Sequence, residues 1–259
     1  RMITMIFQQI RNATVKINYA GKIFLIDPWL IAKGTGPIFL SILPEMKTVP
    51  SPLVDLPIAV EQVLADVDAV IITHDHADHF DDQTAGLLDK KMKLFVQNEI
   101  DAAHMKQLGF QNVDVLNAAG TLFEGIVLTK TPGMHGETPE KAAGEVCGVV
   151  FQHPDEKTLY VAGDTIWYIA VERTIQDFQP EVIVLNCCKA YSEKFGRLIM
   201  DEQDVYQVCL AAPQAIIIAS HMETVNHALL TRDQLKNAMA EKHFTADLRI
   251  PLDGEGMEL

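Results

Sequence analysis

AVIITHDHADHF, residues 69–80, is the stretch on which the reading of this chain turns. Its apolar start reads as a buried β-strand, and a cluster of histidines and aspartates follows without a break. A strand end is rigid, so side chains there are held in fixed positions. While the backbone stays extended, His74 and His76 point the same way, because side chains alternate across a strand. Asp78 and His79 turn with the start of the next helix and face a second point close by. Imidazole and carboxylate are donors that Zn²⁺, Fe²⁺ and Mn²⁺ accept.

The flanks of this stretch give the fold class. Upstream, MITMIFQQI, ATVKINYAG and KIFLID are rich in β-branched residues and broken by Asn or Gly, the pattern of a strand meander. From residue 59 onward, helical and strand patterns alternate. AVEQVLADV, DDQTAGLLDKK, EIDAAHMKQLGF, VERTIQDFQ, DEQDVYQVCLAA and RDQLKNAMAEKHF read as helices. KLFVQ, VDVL, IVLTKTP, VCGVVFQHP, TLYVAGD, EVIVLN, AIIIASH and LRIPLDG read as strands. Clustered strands followed by alternation imply an α/β protein of mixed sheets covered by helices. No repeat, linker or low-complexity tract interrupts the pattern, so residues 2–259 are expected to form one domain; Arg1 is left outside it.

Residues 35–57 break the alternation. Pro37, Pro44, Pro50, Pro52 and Pro57 are five of the chain's 12 prolines, which excludes a regular helix or central strand. Long loops of this kind are often lids or binding loops, and a passive insertion is the other reading. Ile38, Phe39, Leu40, Ile42 and Leu43 give the loop an apolar face. That face needs a cover, either the pocket or a second copy of the chain in a homo-oligomer.

Composition narrows the function classes. The chain has 259 residues, 48% of them apolar, and a formal net charge of −14 from 21 Lys and Arg against 35 Asp and Glu. The apolar content excludes disorder, and four Cys in so long a chain exclude a disulfide scaffold. Acidity argues against nucleic acid, whose phosphates are neutralised by Lys and Arg. No run reaches the eighteen or so apolar residues of a membrane span, and the first apolar run is too short for a signal-peptide core. Cys147, Cys187, Cys188 and Cys209 lack metal-type spacing and read as buried free thiols, so a cytoplasmic location is expected.

Three other candidate ligands also follow apolar runs. His135 comes after IVLTKTPGM, Asp164 after TLYVAG, and His221 after QAIIIAS. Strand ends on one sheet edge converge, so residues distant in sequence can meet there. His104, His153 and His243 lack that placement and read as surface or packing residues. His227, six residues beyond His221, stands between the two groups, as a residue beside the ligands or one that binds substrate.

HxHxDH, a His after a Pro-Gly turn, a Gly-Asp pair and a strand-end His, in that order, resemble the metallo-β-lactamase superfamily. The resemblance runs from Asp27 to His221. It implies a four-layer αβ/βα sandwich, two mixed β-sheets flanked by helices, with a metal pair at one edge. It also implies that His74, His76 and His135 hold one metal, that Asp78, His79 and His221 hold the other, and that Asp164 bridges them. Asp27, in FLIDPWL, matches a structural aspartate that hydrogen-bonds the ligand loop. THDHADHFD, AGDT and SHMETVNHALLTR are similar to the branch containing L-ascorbate-6-phosphate lactonase. PGMHG departs from the more usual PGH through Met134, and His135 stays the candidate because no other His lies nearby. Lys189, Lys194 and Arg197 are candidates to hold a phosphate but read as a solvated loop. Trp29 and Trp167 each follow a motif aspartate and either wall the pocket or pack the core.

The chemistry implied is metal-assisted hydrolysis. Two divalent metal ions, zinc first with manganese or iron(II) as alternatives, about 3.5–4 Å apart share a water and lower its pKa towards neutrality. The hydroxide so formed attacks an ester or lactone of a small cytosolic metabolite, which an anionic group can accompany; a phosphodiester is the alternative. No GxSxG nucleophile motif is present. Di-iron oxidoreductases of the superfamily resemble HxExD at the first cluster, and His76 stands where their Glu would. The leaving-group acid is sought among Tyr168, Glu137 and His227.

Overall fold

The computed structural model describes residues 4–259, so the expected domain start at Met2 lies outside the described residues. In chain order the first half supplies β1 (Ile6–Arg11), β2 (Thr14–Tyr19), β3 (Lys22–Ile26), α1 (Val60–Leu64), β4 (Ala69–Ile72), α2 (Asp82–Leu87), β5 (Lys93–Val96), α3 (Glu99–Gln107) and β6 (Asn112–Val115). The second half supplies β7 (Thr121–Phe123), β8 (Ile126–Pro132), β9 (Cys147–Gln152), β10 (Leu159–Val161), α4 (Ile169–Phe178), β11 (Val182–Asn186), β12 (Tyr191–Ser192) and β13 (Gly196–Arg197). It ends with α5 (Glu202–Ala211), β14 (Ile216–Ser220), α6 (Arg232–Ala240), β15 (Asp247–Arg249) and β16 (Gly256–Glu258).

These strands form two seven-stranded mixed sheets, ordered β16-β1-β2-β3-β4-β5-β6 and β15-β14-β11-β10-β9-β8-β7, and β12 and β13 form a separate small hairpin. The two-residue period of a strand explains the layers. In β4, Ala69 and Ile71 face the layer between the sheets, whereas Val70 and Ile72 face α1, α2 and α3. In β11, Val182 and Val184 face the same inner layer, whereas Ile183 and Leu185 pack under α4, α5 and α6. Strands buried on both faces have to be apolar throughout, as AVII and VIVL are. Each Val, Ile or Leu side chain among them contributes about 1.5–3 kcal/mol of burial. The result is helix, sheet, sheet, helix: the αβ/βα sandwich.

Pairing directions place the site. β3 pairs parallel with β4, and β10, β11 and β14 run parallel to one another, so their carboxyl ends share an edge of each sheet. Asp27, Thr73, Ala162 and His221 begin the segments leaving β3, β4, β10 and β14 at those edges.

Several elements differ from the sequence reading. The helix read in AVEQVLADV is confined to α1, and β7 pairs with β8 as a hairpin that was not read. CCKAYSEKFGR, read as a solvated loop, carries β12 and β13. LRIPLDG is not one strand. β15 stops at Arg249 before Pro251, which lacks the N–H a ladder needs, and the chain returns so that β16 pairs antiparallel with β1. No helix among the described residues is long and apolar enough to cross a membrane.

The proline-rich loop is tied down by buried polar side chains. Arg11, fully buried, donates to the carbonyls of Val54, Trp29 and Ile31. Asn226, also fully buried, accepts from the N–H of Phe39 at 3.1 Å and donates to the carbonyls of Phe39 and Met46.

Candidate metal centre

Seven side chains converge where the sheet edges meet. The ligand atoms of three groups lie within 4.8 Å of one another: His74, His76 and His135; His74, His79 and Asp164; and Asp78, His79 and His221. Asp164 Oδ2 lies 3.2 Å from His79 Nε2, 3.7 Å from His135 Nε2 and 3.9 Å from His74 Nε2, and Asp164 Oδ1 lies 3.9 Å from His221 Nε2. Asp78 reaches one side only, His221 Nε2 at 3.3 Å and His79 Nε2 at 3.8 Å. Asp164 therefore sits between the groups that Asp78 and His76 occupy singly.

The partners on the far side of each ring set its tautomer. Asp27 accepts the Thr73 N–H at 2.7 Å through Oδ1, and through Oδ2 the Thr73 hydroxyl at 2.7 Å and His79 Nδ1 at 2.9 Å. With its own proton given to Asp27, the Thr73 oxygen accepts from His74 Nδ1 at 3.2 Å. His135 Nδ1 donates to the Leu198 carbonyl at 2.9 Å. In all three rings these partners call for a proton on Nδ1 and leave Nε2 to face the cluster.

That arrangement fits a cation. His79 Nε2 is buried with no hydrogen-bond partner, and its lone pair faces the Asp164 carboxylate. His74 Nε2 likewise faces His76 Nδ1 at 3.0 Å. Lone pairs brought this close in a dry site repel unless a proton or a metal ion lies between them, and imidazole with carboxylate suits Zn²⁺, Mn²⁺ or Fe²⁺.

Without metal, the network titrates away from ordinary values. Burial opposes a charged ring at His79, but Asp164, Asp27 and Asp78 outweigh it and lift His79 to about 10. Burial likewise opposes charge at Asp78 and Asp164, yet neighbouring imidazoles, His79 first, hold both well below the usual carboxylate range. Burial pushes His135 down to about 4. The stability of metal-free protein should follow from these directions. The His79 contribution is complete below its ordinary 6.5 and is lost as pH rises towards 10. The Asp78 and Asp164 contributions are complete above their ordinary 3.8 and fade on acidification. His74, His135 and His227, held below their ordinary value by burial, lose stability as pH falls below 6.5. Urea midpoints of metal-stripped protein are therefore expected to peak near about pH 6.5 and to fall on either side, towards about pH 4 and towards about pH 9. A midpoint that climbs across that upper range would contradict the network.

Three further residues brace the centre, and of these only Gly163, in the Gly-Asp pair, stands out in the sequence. Asn186 closes β11 and donates to Asp164 Oδ1 at 2.7 Å. Asn12, in the turn between β1 and β2, donates to the Asp78 carbonyl at 2.9 Å, and its own carbonyl accepts the His221 N–H at 3.0 Å. Asn12 and His221 both hold left-handed backbone, φ 56° and 62°. Such conformations persist at functional sites only where their surroundings fix them. Gly163 has φ 68°, and a Cβ there would meet the Cys147 carbonyl oxygen at 2.4 Å, so the turn delivering Asp164 requires glycine.

The other sequence candidates divide. His227 lines the cavity over the cluster, 7% exposed, and burial holds it at about 4. Tyr168 and Glu137 do not line that cavity. Tyr168 sits at the start of α4 among the core aromatics, and Glu137 accepts the Arg197 N–H. Trp29 is fully buried in the core, and Trp167 packs against the same cluster without lining the cavity. Lys189 pairs with Glu202 and Arg197 with Asp204, while Lys194 lies over the Phe195 ring. His104 pairs with Asp75 at 2.6 Å, outside the cluster. The four cysteines are free and buried.

Two β-sheets in an αβ/βα sandwich, with a histidine–aspartate cluster at the strand ends, define a hydrolase of the metallo-β-lactamase class. The β-lactamase superfamily domain matches residues 24–222. UPF0173 protein YddR of Bacillus subtilis is 51% identical over 95% of this chain and 97% of its own. The isothiocyanate hydrolase from Delia radicum gut bacteria is 42% identical, with a TM-score of 0.91 over 98% of both chains. A possible metal-dependent hydrolase from Veillonella parvula is 35% identical, with a TM-score of 0.92 over 99% of this chain and 100% of that one. The chain belongs to the β-lactamase superfamily, as a metal-dependent hydrolase of the UPF0173 family.

Proposed function

We propose that this protein hydrolyses a small, uncharged, largely apolar molecule at an electrophilic carbon, with an isothiocyanate as the first substrate class. One observation carries the reading: the wall of the cavity above the metal cluster. The cavity holds about 390 Å³, and Phe39, Leu40, Ala143, Ala190, Phe195 and Leu198 supply its apolar wall. Among the described residues no Lys or Arg lines it. A phosphate group on the substrate would lack its usual side-chain partner, so phosphodiesters and phosphorylated metabolites suit the pocket poorly. The likeness to the isothiocyanate hydrolase supports the same class. An ester or lactone carbonyl of similar size meets the same requirements and is the second class.

His74, His76 and His135 would hold one divalent ion, Asp78, His79 and His221 a second, and Asp164 both, zinc being first among the metals. Bound there, the ions supply Lewis acidity and a water of lowered pKa. The chain's own part is to fix the donors through Asp27, Asn12 and Asn186, and to exclude bulk water with Phe39 and Leu40. Residues 4–259 act as one hydrolase unit in this reading.

Metal analysis with a substrate panel tests it: benzyl isothiocyanate, phenyl acetate, a γ-lactone and a phosphodiester. Metal-dependent turnover fastest on the isothiocyanate is expected. Turnover fastest on the phosphodiester would overturn the reading.

Residues 35–57 contribute Phe39 and Leu40 to the cavity, which favours a lid, while Ile38 and Leu40 remain 52% and 73% exposed, as an interface would require. Replacing Phe39 and Leu40 together with Ser is expected to raise KM about tenfold or more, from lost apolar burial, with metal content unchanged. Dissociation of an oligomer with unchanged kinetics would instead make the loop an interface.

A further inference from the structure

We propose that His227 contacts the substrate, its Nε2–H donating a hydrogen bond to the heteroatom on which negative charge develops. The proposal rests on the hydrolase reading above and adds a residue to that site.

His227 is 7% exposed, yet it lines the cavity. Its Nδ1 is enclosed with no hydrogen-bond partner, and Nε2 is not enclosed in this way. A buried N–H without an acceptor is rarer than a buried lone pair without a donor. The ring proton therefore belongs on Nε2, the nitrogen left for the cavity. Outside the seven clustered side chains, His227 and Ser192 are the polar side chains in the lining. In an apolar pocket a few convergent polar groups set the orientation of a ligand.

The ring is held before substrate arrives. Its backbone carbonyl accepts the Tyr191 N–H at 3.1 Å, and the imidazole packs tilted on Phe39 with ring centres 4.8 Å apart. The preceding Asn226 fixes Phe39 through both backbone groups. A donor so fixed need not reorganise as charge develops, which is the condition for a large effect in a water-poor site.

For an isothiocyanate R–N=C=S the step balances without a co-reactant other than water. The water oxygen bonds to the central carbon, and the C=N π pair moves to nitrogen. That nitrogen takes one proton of the water and the hydrogen bond from His227. The resulting thiocarbamic acid, R–NH–C(=S)–OH, breaks its C–N bond, the pair and the O–H proton passing to nitrogen. The products are R–NH2 and COS, and His227 has given up no proton.

A donor and an acid differ in what can replace them. In the metal-loaded enzyme, His227→Phe is expected to lower kcat by about 10²–10³-fold with little change in KM, the scale of losing one donor to a developing charge. His227→Gln, which keeps an N–H, is expected to recover at least about tenfold of that loss. Metal content and melting temperature of both variants should match the parent. Labelled-histidine NMR of the metal-loaded parent should find the proton of His227 on Nε2. Unchanged kcat in the Phe variant, a Gln variant no better than Phe, or a proton on Nδ1 overturns the proposal. A Ser192→Ala loss as large as that of His227→Phe gives the role to Ser192 and overturns it equally. The variants are assayed on whichever panel substrate the parent turns over fastest. Parent enzyme inactive on isothiocyanates therefore defeats that substrate class alone, and the NMR result stands without any substrate.

Discussion

Asp78→Ala is expected to lower kcat/KM by at least about 10²–10³-fold while removing metal from one half of the centre only. Asp78 lies near His221 and His79, at 3.3 and 3.8 Å, and belongs to no other group of the cluster. Its loss leaves His74, His76 and His135 intact as a three-histidine set. Asp164→Ala is the contrasting case, because Asp164 lies within 3.9 Å of nitrogen atoms from His74, His79, His135 and His221. That variant is expected to lose metal from both halves. Metal-to-protein ratios by mass spectrometry, measured beside activity, separate the outcomes. An Asp78→Ala enzyme of full activity with half the metal would show that one ion suffices. Equal metal loss in the two variants would remove the asymmetry read from the distances.

The clustered edge was legible in the sequence because its strand-end members follow apolar runs. His74, Asp164 and His221 follow AVIIT, TLYVAG and AIIIAS, and a strand end leaves a side chain few directions to take. Asn186 obeys the same rule after EVIVL and could have been found by it, although its neutral amide is not itself a typical metal donor. Asn12 could not be found so, because it owes its place to a tight turn with φ 56°, which no apolar run announces. Tyr168, which lies outside the cavity lining, shows the converse. Tyr168 follows Asp164 closely in sequence, but the chain turns away at once. The Ile166 N–H bonds the Met134 carbonyl and the Trp167 N–H bonds Asp204, which carries the following residues towards α4. Nearness in sequence predicts nearness in space only while the backbone stays regular. The return of β16 to β1 was invisible for a similar reason, since pairing between the two ends of a chain leaves no local pattern.

Asp27→Ala tests whether the fold and the centre share a support. Asp27 is 1% exposed and accepts three hydrogen bonds, from the Thr73 N–H, the Thr73 hydroxyl and His79 Nδ1. Removing the carboxylate leaves those donors buried and unpaired, a loss of about 3–5 kcal/mol if His79 stays charged in the metal-free protein. At roughly 2–4 °C per kcal/mol for a chain of this size, the metal-free variant is expected to melt about 6–20 °C lower. Asp27→Asn separates the two roles. Its amide oxygen can still accept from Thr73, so more of the stability should survive. Its NH2 group, however, faces His79 Nδ1, where an N–H must donate. The ring then has to move its proton to Nε2, the atom aimed at the cluster. Metal affinity is therefore expected to fall about 10–100-fold in Asp27→Asn, out of proportion to its smaller loss of melting temperature. If affinity and melting temperature fall in step across both variants, Asp27 acts on the metal only by holding the loop. If affinity falls alone in Asn, the carboxylate sets the tautomer of His79, and the histidine-rich loop is a metal centre because Asp27 lies beneath it.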